Sequence, residues 1–292
     1  MDKGLARTRG GLIAALDVGT TKVCCFIARM NGNGELQVIG IGHQSAHGMR
    51  AGAIIDMEAV ETSVLAAVHG AETMAGERIR AAFVNVTGGR PGSRTVNAEI
   101  AVAGSEISHG DVRRVLEECH EQANGVERTL IHSIPVGYAV DGTRGIRDPR
   151  GMHGERLGVD IHMVSASSGA VRNLATCLSG CRIDVRGYVV SPYASALACL
   201  VEDEMNLGVT VVDMGGGTTT VAGFVDGELV YTDFLPIGGQ HVTSDIALGL
   251  NTPVSHAERL KALYGSAVPS PHDEQQTIDV AVMGEPDEAT PN

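Results

Sequence analysis

The chain has 292 residues, 43% hydrophobic and 20% charged, a globular balance on a length that exceeds one ordinary core, so two or more folding units are expected and a disordered chain is excluded. Its 35 acidic and 22 basic side chains give a net charge of −13, which argues against the cationic footprint that binds a nucleic-acid backbone. The six cysteines, at 24, 25, 119, 177, 181 and 199, form no Cys-x-x-Cys pair and no zinc-spaced cluster with histidine, the pattern of reduced thiols in a cytoplasmic protein.

The first ten residues carry Lys3, Arg7 and Arg9 with no long apolar core after them, so no signal peptide is read there. No apolar run approaches the roughly 18 residues of a membrane span. Residues 11–17, 23–30 and 35–43 read as three strands of a meander, with Asn33-Gly34 as a tight-hairpin signal. Cys24 and Cys25 are adjacent in a strand, so they face opposite sides and read as small buried hydrophobes. A helix follows at 57–76, from apolar spacings of three and four. Residues 83–160 suggest strands around one helix, opened by a capping box of Ser108 and Asp111. This stretch reads as a small inserted α+β domain, an interaction module. A second helix is read at 168–181. Strands at 209–213, 218–225 and 228–235, with Asp226-Gly227 at the second hairpin, then repeat the first meander in order. From residue 266 onward there are six acids, four prolines and no Lys or Arg, a solvated terminus with 277–284 as one possible strand.

The duplication carries the chemistry. "LDVGTTK" at 16–22 and "VDMGGGTTT" at 212–220 each set an aspartate at a strand end before glycine and threonine. Glycine lets a turn take positive φ and lets backbone N–H groups approach an anion, and threonine hydroxyls add donors. Asp17 and Asp213 suit Mg²⁺ held through water, because that ion keeps much of its hydration shell. Lys22 adds a point charge for a terminal phosphate. Two such loops facing each other would grip one polyphosphate from both sides.

This pairing resembles the superfamily of actin, sugar kinases and heat-shock chaperone ATPases, which implies an α/β, ribonuclease H-like duplicated actin-like ATPase fold. Three segments, "GMRAGAIIDMEAV" at 48–60, "IHSIPVGYAVDGTRGIRDPRGMHGERLGVDIHMV" at 131–164 and "LPIGGQHVTSDIALGLNTPVSHAERLKALYG" at 235–265, resemble the FtsA branch of actin-like cell division proteins. That likeness implies subdomain 1A at 11–82 with 161–205, an inserted SHS2-like 1C at 83–160, 2A at 206–248, and the start of 2B with its acidic tail at 249–292. It also implies an ATP and Mg²⁺ site built from Asp17, Gly19, Thr20, Thr21 and Lys22 on one loop and Asp213, Gly215, Gly216, Gly217, Thr218 and Thr219 on the other. Gly238 and Gly239 join that site, and Glu258 and Lys261 lie on the helix that contacts adenosine. Read from composition alone, Glu258 and Lys261 are a solvated helical pair.

The resemblance further implies self-association into filaments, contact with FtsZ and later division proteins, and a place at the cytoplasmic face of the membrane at the division site. FtsA chains usually continue through the rest of 2B, a second glycine-rich adenosine motif and an amphipathic membrane helix. The present chain therefore reads as truncated, which puts its FtsZ contact and membrane attachment in question. Hydrolysing relatives carry Glu or Gln at the connecting helix, where this chain has Ser191 and Pro192. Ser191 can help position water but is a poor base, so at most a slow ATPase is expected. The alternatives on the same fold are a small-molecule kinase or exopolyphosphatase and a pilus-assembly ATP-binding adaptor.

Overall fold

A computed structural model describes residues 11–283, apart from 105, 124–126, 269, 272–274 and 276. The charged N-terminal residues and every tail acid except Asp279 lie outside the described residues. The first meander, β1 (Leu12–Val18), β2 (Lys22–Met30) and β3 (Leu36–Ser45), leads through a short hairpin, β4 (Met49–Arg50) and β5 (Ala53–Ile54), into α1 (Met57–Ala75) and β6 (Ala81–Val86). Next come β7 (Gly92–Ala101), α2 (His109–Ala123), β8 (Arg128–Val140), β9 (Thr143–Ile146) and β10 (Arg156–Ser167). The chain continues through α3 (Ser168–Gly180), β11 (Asp184–Val190), α4 (Ser191–Cys199) and α5 (Glu202–Leu207). The second meander, β12 (Val209–Met214), β13 (Thr219–Val225) and β14 (Glu228–Leu235), is followed by α6 (Gly239–Gly249) and α7 (Val254–Tyr264).

Three sheets organise these elements. The first has the order β11-β6-β1-β2-β3, antiparallel through the meander and parallel where β6 meets β1 and β11. The second meander forms a three-stranded sheet, β12-β13-β14. The sheet β7-β10-β8-β9 belongs to the insertion, and α2 covers one of its faces around Val115, Cys119, Leu157 and Ile161. As read from sequence, Ser108 and Asp111 cap α2 reciprocally: the Ser108 N–H donates to Asp111 Oδ2 at 3.0 Å and the Asp111 N–H to Ser108 Oγ at 3.3 Å.

Helix α1 shows how the sequence builds the core beneath the site. Asp56 caps it by accepting from the Ala59 N–H at 3.1 Å, and Gly76 ends it in the left-handed region at φ 66°. Its buried face, Val60, Val64, Ala67, Val68 and Ala71, follows helical periodicity and packs with Leu16, Val23, Cys25 and Ile27 of the sheet. The helix sits directly on β3, because Gly40 and Gly42 leave room for the Ala71 and Ala67 carbonyls.

Four sequence expectations change. The Asn33-Gly34 turn is a wider loop over 31–35, in which Asn31 Oδ1 accepts from the N–H groups of Asn33 and Glu35; Asp226-Gly227 does form the expected two-residue turn, with φ of 53° and 81°. The insertion does not begin at 83, since β6 pairs with β1 and β11 through Val86. It does not end at 160, since β10 stays paired with β8 through Ser167. Both strands remain mostly apolar past those points, so hydropathy has no clear break to mark the change of sheet. Residues 277–283 form no strand; the Met283 N–H donates to the Asn251 carbonyl at 2.8 Å, and the Ala281 carbonyl accepts from Thr252 Oγ1 at 2.5 Å.

Substituting Gly42→Ala would drive a methyl into the Ala67 carbonyl. The variant is expected to lose on the order of 1–3 kcal/mol in urea denaturation. Unchanged stability would show that α1 does not rest on β3 in this way.

Candidate functional site

The two Asp-Gly turns close identically. The Gly19 N–H donates to the Lys22 carbonyl at 2.9 Å, and the Gly215 N–H to the Thr218 carbonyl at 2.8 Å. In this register Thr20 and Thr21 correspond to Gly216 and Gly217, and Lys22 to Thr218. The turns meet tip to tip: a Cβ on Gly216 would collide with Thr21, and one on Gly217 would lie 2.7 Å from Thr20 Oγ1. None of Gly19, Gly215, Gly216, Gly217, Gly238 or Gly239 has positive φ. Glycine serves close approach here, not the handedness of the turn.

The same closeness recurs at the start of α6. A Cβ on Gly238 would sit 2.7 Å from the Thr218 nitrogen. The Gly239 and Gln240 N–H groups donate to the Gly215 and Gly216 carbonyls at 2.9 and 2.7 Å, so the first turn of α6 is docked on the second loop.

A cavity of about 580 Å³ opens on one side of the joined turns, lined by Asp17, Lys22, Asp213, Asn85, Ser191 and Ser195 among others. Asn85 organises it. Its Oδ1 accepts from the Val18 N–H at 2.7 Å, while its Nδ2 donates to Asp17 Oδ1 at 2.5 Å and to Ser191 Oγ at 3.1 Å. Ser195 Oγ donates to Asp213 Oδ2 at 2.8 Å. Burial pushes the Asp17 carboxyl above its ordinary value near 3.8; Lys22 opposes the shift and Asp213 adds to it. Among the described residues no group of three or more His, Cys, Asp or Glu converges on one point, so no direct ion cage is built. Two carboxylates facing an open cavity do fit a hard cation that retains its water shell. Among the described residues no Glu or Gln lines the cavity.

A second cavity, of about 850 Å³, lies against the same turns and is lined by Thr21, Gly216, Gly217, Gly239, Glu258 and Lys261, together with Arg50. Glu258 and Lys261 form an i,i+3 pair on α7 that remains partly exposed but has further partners. Lys261 Nζ reaches Glu258 Oε2 at 2.7 Å, Thr243 Oγ1 at 2.9 Å and the Gly239 carbonyl at 3.2 Å, and Thr243 Oγ1 donates to Glu258 at 2.5 Å. Hydrogen bonds from Lys261 and Thr243 hold the Glu258 carboxyl below its ordinary value, and the group pins α7 to the first turn of α6.

The structure thus brings Asp17, Gly19, Thr20, Thr21, Lys22, Ser191, Asp213, Gly215, Gly216 and Thr218 to the first cavity, and Gly217, Gly239, Glu258 and Lys261 to the second. Gly238 packs beneath the second loop. Thr219 lines neither cavity, because its hydroxyl is spent on the Ile237 carbonyl at 2.7 Å. Sequence reasoning missed Asn85, Ser195 and Arg50. A lone Asn inside the apolar run "AAFVNV" was a usable signal; Ser195, in an ordinary helical stretch, left none.

Because the folded chain binds the Asp17 proton more tightly than the unfolded chain, the linked cost to stability is absent below pH 3.8 and grows as pH rises through the folded-state value. Asp17→Asn keeps an oxygen to accept from Asn85. It is expected to melt above the native chain at pH 7, with the gap closing as the pH is lowered toward 3.8. A gap that does not change with pH would contradict a desolvated Asp17 carboxylate.

The profile "SHS2 domain inserted in FTSA" matches residues 88–165, and "Cell division protein FtsA" matches residues 210–292. The chain is 44% identical to cell division protein FtsA of Rhizobium meliloti (strain 1021), over 99% of this chain and 68% of that protein. It is 42% identical to its counterpart in Agrobacterium fabrum (strain C58), with the same coverage of both chains. Among solved structures, the PilM-PilN type IV pilus biogenesis complex matches with a TM-score of 0.62 at 16% identity, covering 87% of this chain and 70% of that one, a likeness of fold.

Proposed function

The chain belongs to the FtsA family of cell division proteins and has the actin-like ATPase fold with an SHS2 insertion, and from that premise we propose that it binds ATP with Mg²⁺ at the two joined turns and uses the nucleotide to set a polymerising conformation. The observation that carries this reading is the seating of Thr20 and Thr21 on Gly217 and Gly216, which leaves two cavities against one pair of loops. In this reading the turn amides and threonine hydroxyls hold phosphate oxygens, and Lys22 supplies a point charge. Asp17 and Asp213 hold the water shell of Mg²⁺, which when bound offsets phosphate charge. Gly239 and the Glu258–Lys261 group form the adenosine side.

Hydrolysis is slow in this reading. Ser191 is buried and takes its hydrogen bond from Asn85, and among the described residues the acids lining the cavity are the two assigned to the metal. A kinase would need a further acid as base for its acceptor hydroxyl. As a member of its family, the protein is proposed to self-associate, to link the FtsZ ring to the cytoplasmic membrane and to recruit later division proteins. No helix among the described residues is long and apolar enough to cross a membrane.

ATP with Mg²⁺ is expected to raise the melting temperature, and Asp213→Ala and Lys22→Ala are each expected to abolish that shift; equal shifts in all three proteins would refute the site. Phosphate release is expected far below the enzymatic median of roughly 10 s⁻¹. Turnover near that median, removed by Asp17→Ala, would favour an enzyme over a scaffold.

A further inference from the structure

The hairpin β4–β5 is a third element at the joined turns. Its tip, Ala51-Gly52, has φ of 48° and 75° in succession, a conformation that favours glycine or asparagine, so alanine is under backbone strain there. Packing holds it in place. The Gly52 N–H donates to Thr20 Oγ1 at 3.1 Å, and a Cβ on Gly52 would lie 3.1 Å from Thr218 Cγ2. The hairpin therefore touches both turns at once, and its base is closed where the Gly48 carbonyl accepts from the Ile55 and Asp56 N–H groups at 2.8 and 3.1 Å.

This rigid arm carries Arg50 into the cavity of about 850 Å³, beside Thr21, Gly216 and Gly217. The other ionised cation on that wall, Lys261, is committed to Glu258, Thr243 and the Gly239 carbonyl. The His241 imidazole is occupied in accepting from the Gly238 N–H at 3.1 Å. Among the described residues Arg50 has no hydrogen bond or ion pair to satisfy its guanidinium. An unengaged planar cation, fixed by a strained hairpin over two anion-cradling turns, is suited to bidentate contact with phosphate oxygens.

The geometry points to Arg50 as a phosphate-binding residue that clamps the polyphosphate of the nucleotide from the hairpin side. This inference rests on the reading that the cavity takes ATP, and it adds a contact that selects the polyphosphate over the nucleoside. The arm also reaches the insertion, since a Cβ on Gly88 would collide with the Gly52 carbonyl, and Gly88 lies on the segment leading into β7.

The test is calorimetric titration of the full chain with Mg²⁺-ATP and with adenosine, using the native protein, Arg50→Ala and Arg50→Lys, with melting curves of the three unliganded proteins as a control on folding. Arg50→Ala is expected to weaken ATP about 10-fold or more, the usual scale for losing a charge-assisted contact, and to leave adenosine unchanged. Arg50→Lys is expected to recover part of the loss, because it keeps the charge but not the fork. ATP affinity unchanged in Arg50→Ala would overturn the role of Arg50 and leave the nucleotide site standing. Equal weakening of ATP and adenosine would overturn the selection of phosphate, and absence of ATP binding by the native protein would overturn both the site and the clamp.

Discussion

The arrangement of both cavities depends on one contact, the seating of Thr20 and Thr21 on Gly217 and Gly216. A side chain at either glycine would drive the two turns apart. Glycine in an ordered segment costs roughly 0.5–1 kcal/mol relative to alanine, and here that cost is offset by a backbone approach that no other residue permits. With the tips joined, β1 and β12 end at the same place. Their aspartates then face one cavity, and the first turn of α6 can dock its amides on the second loop. The pseudo-symmetric pairing of two turns is therefore a packing constraint first and a chemical one second.

The carboxylates pose the opposite problem. Asp17 is placed where burial and Asp213 both disfavour its charge, so the unliganded fold carries an electrostatic cost that a more stable protein would avoid. Asn85 keeps the cost tolerable by donating to the carboxylate while its own carbonyl is satisfied by the backbone of β1. It also fixes Ser191 at the start of α4, so one side chain ties together the first strand, β6 and the helix that leads to the second meander. A carboxyl raised by burial and oriented by a satisfied partner is the kind of perturbed group that functional sites collect.

Much of this was legible in the sequence. The two meanders, α1, α3 and the capped α2 follow hydrophobic periodicity and turn chemistry, and the repeated Asp-Gly-Thr order was visible because both copies are local in sequence. What was not legible depends on distance along the chain. The role of Asn85 is set by residues 68 and 106 positions away, and Arg50 acquires meaning only once its hairpin is laid over both turns. The reason for the glycines was misjudged for the same cause: a turn read alone suggests positive φ, whereas the neighbour that forbids a side chain comes from the other copy. The edges of the insertion were missed because β6 and β10 continue as strand-like runs across the change of sheet, and sheet membership is decided by register.

The insertion is also less separate than its sequence suggests. One face of its sheet is covered by α2, but the other contributes Val164, with Ile131 and Ile134 packed alongside, to a core that includes Val190, Ala196, Ala222 and Phe224. Ser93 of β7 bonds to both backbone groups of Thr232 on β14. His132 of β8 accepts from the Val190 N–H through Nε2 at 3.1 Å, edge-on to Tyr193, and burial together with His162 pushes its pKa down to about 4. The imidazole is therefore neutral at physiological pH and remains an acceptor. Val190 is the residue immediately before Ser191. Through His132, and through Gly88 against the hairpin tip, the insertion touches the chain beside Ser191 and beside the two joined turns.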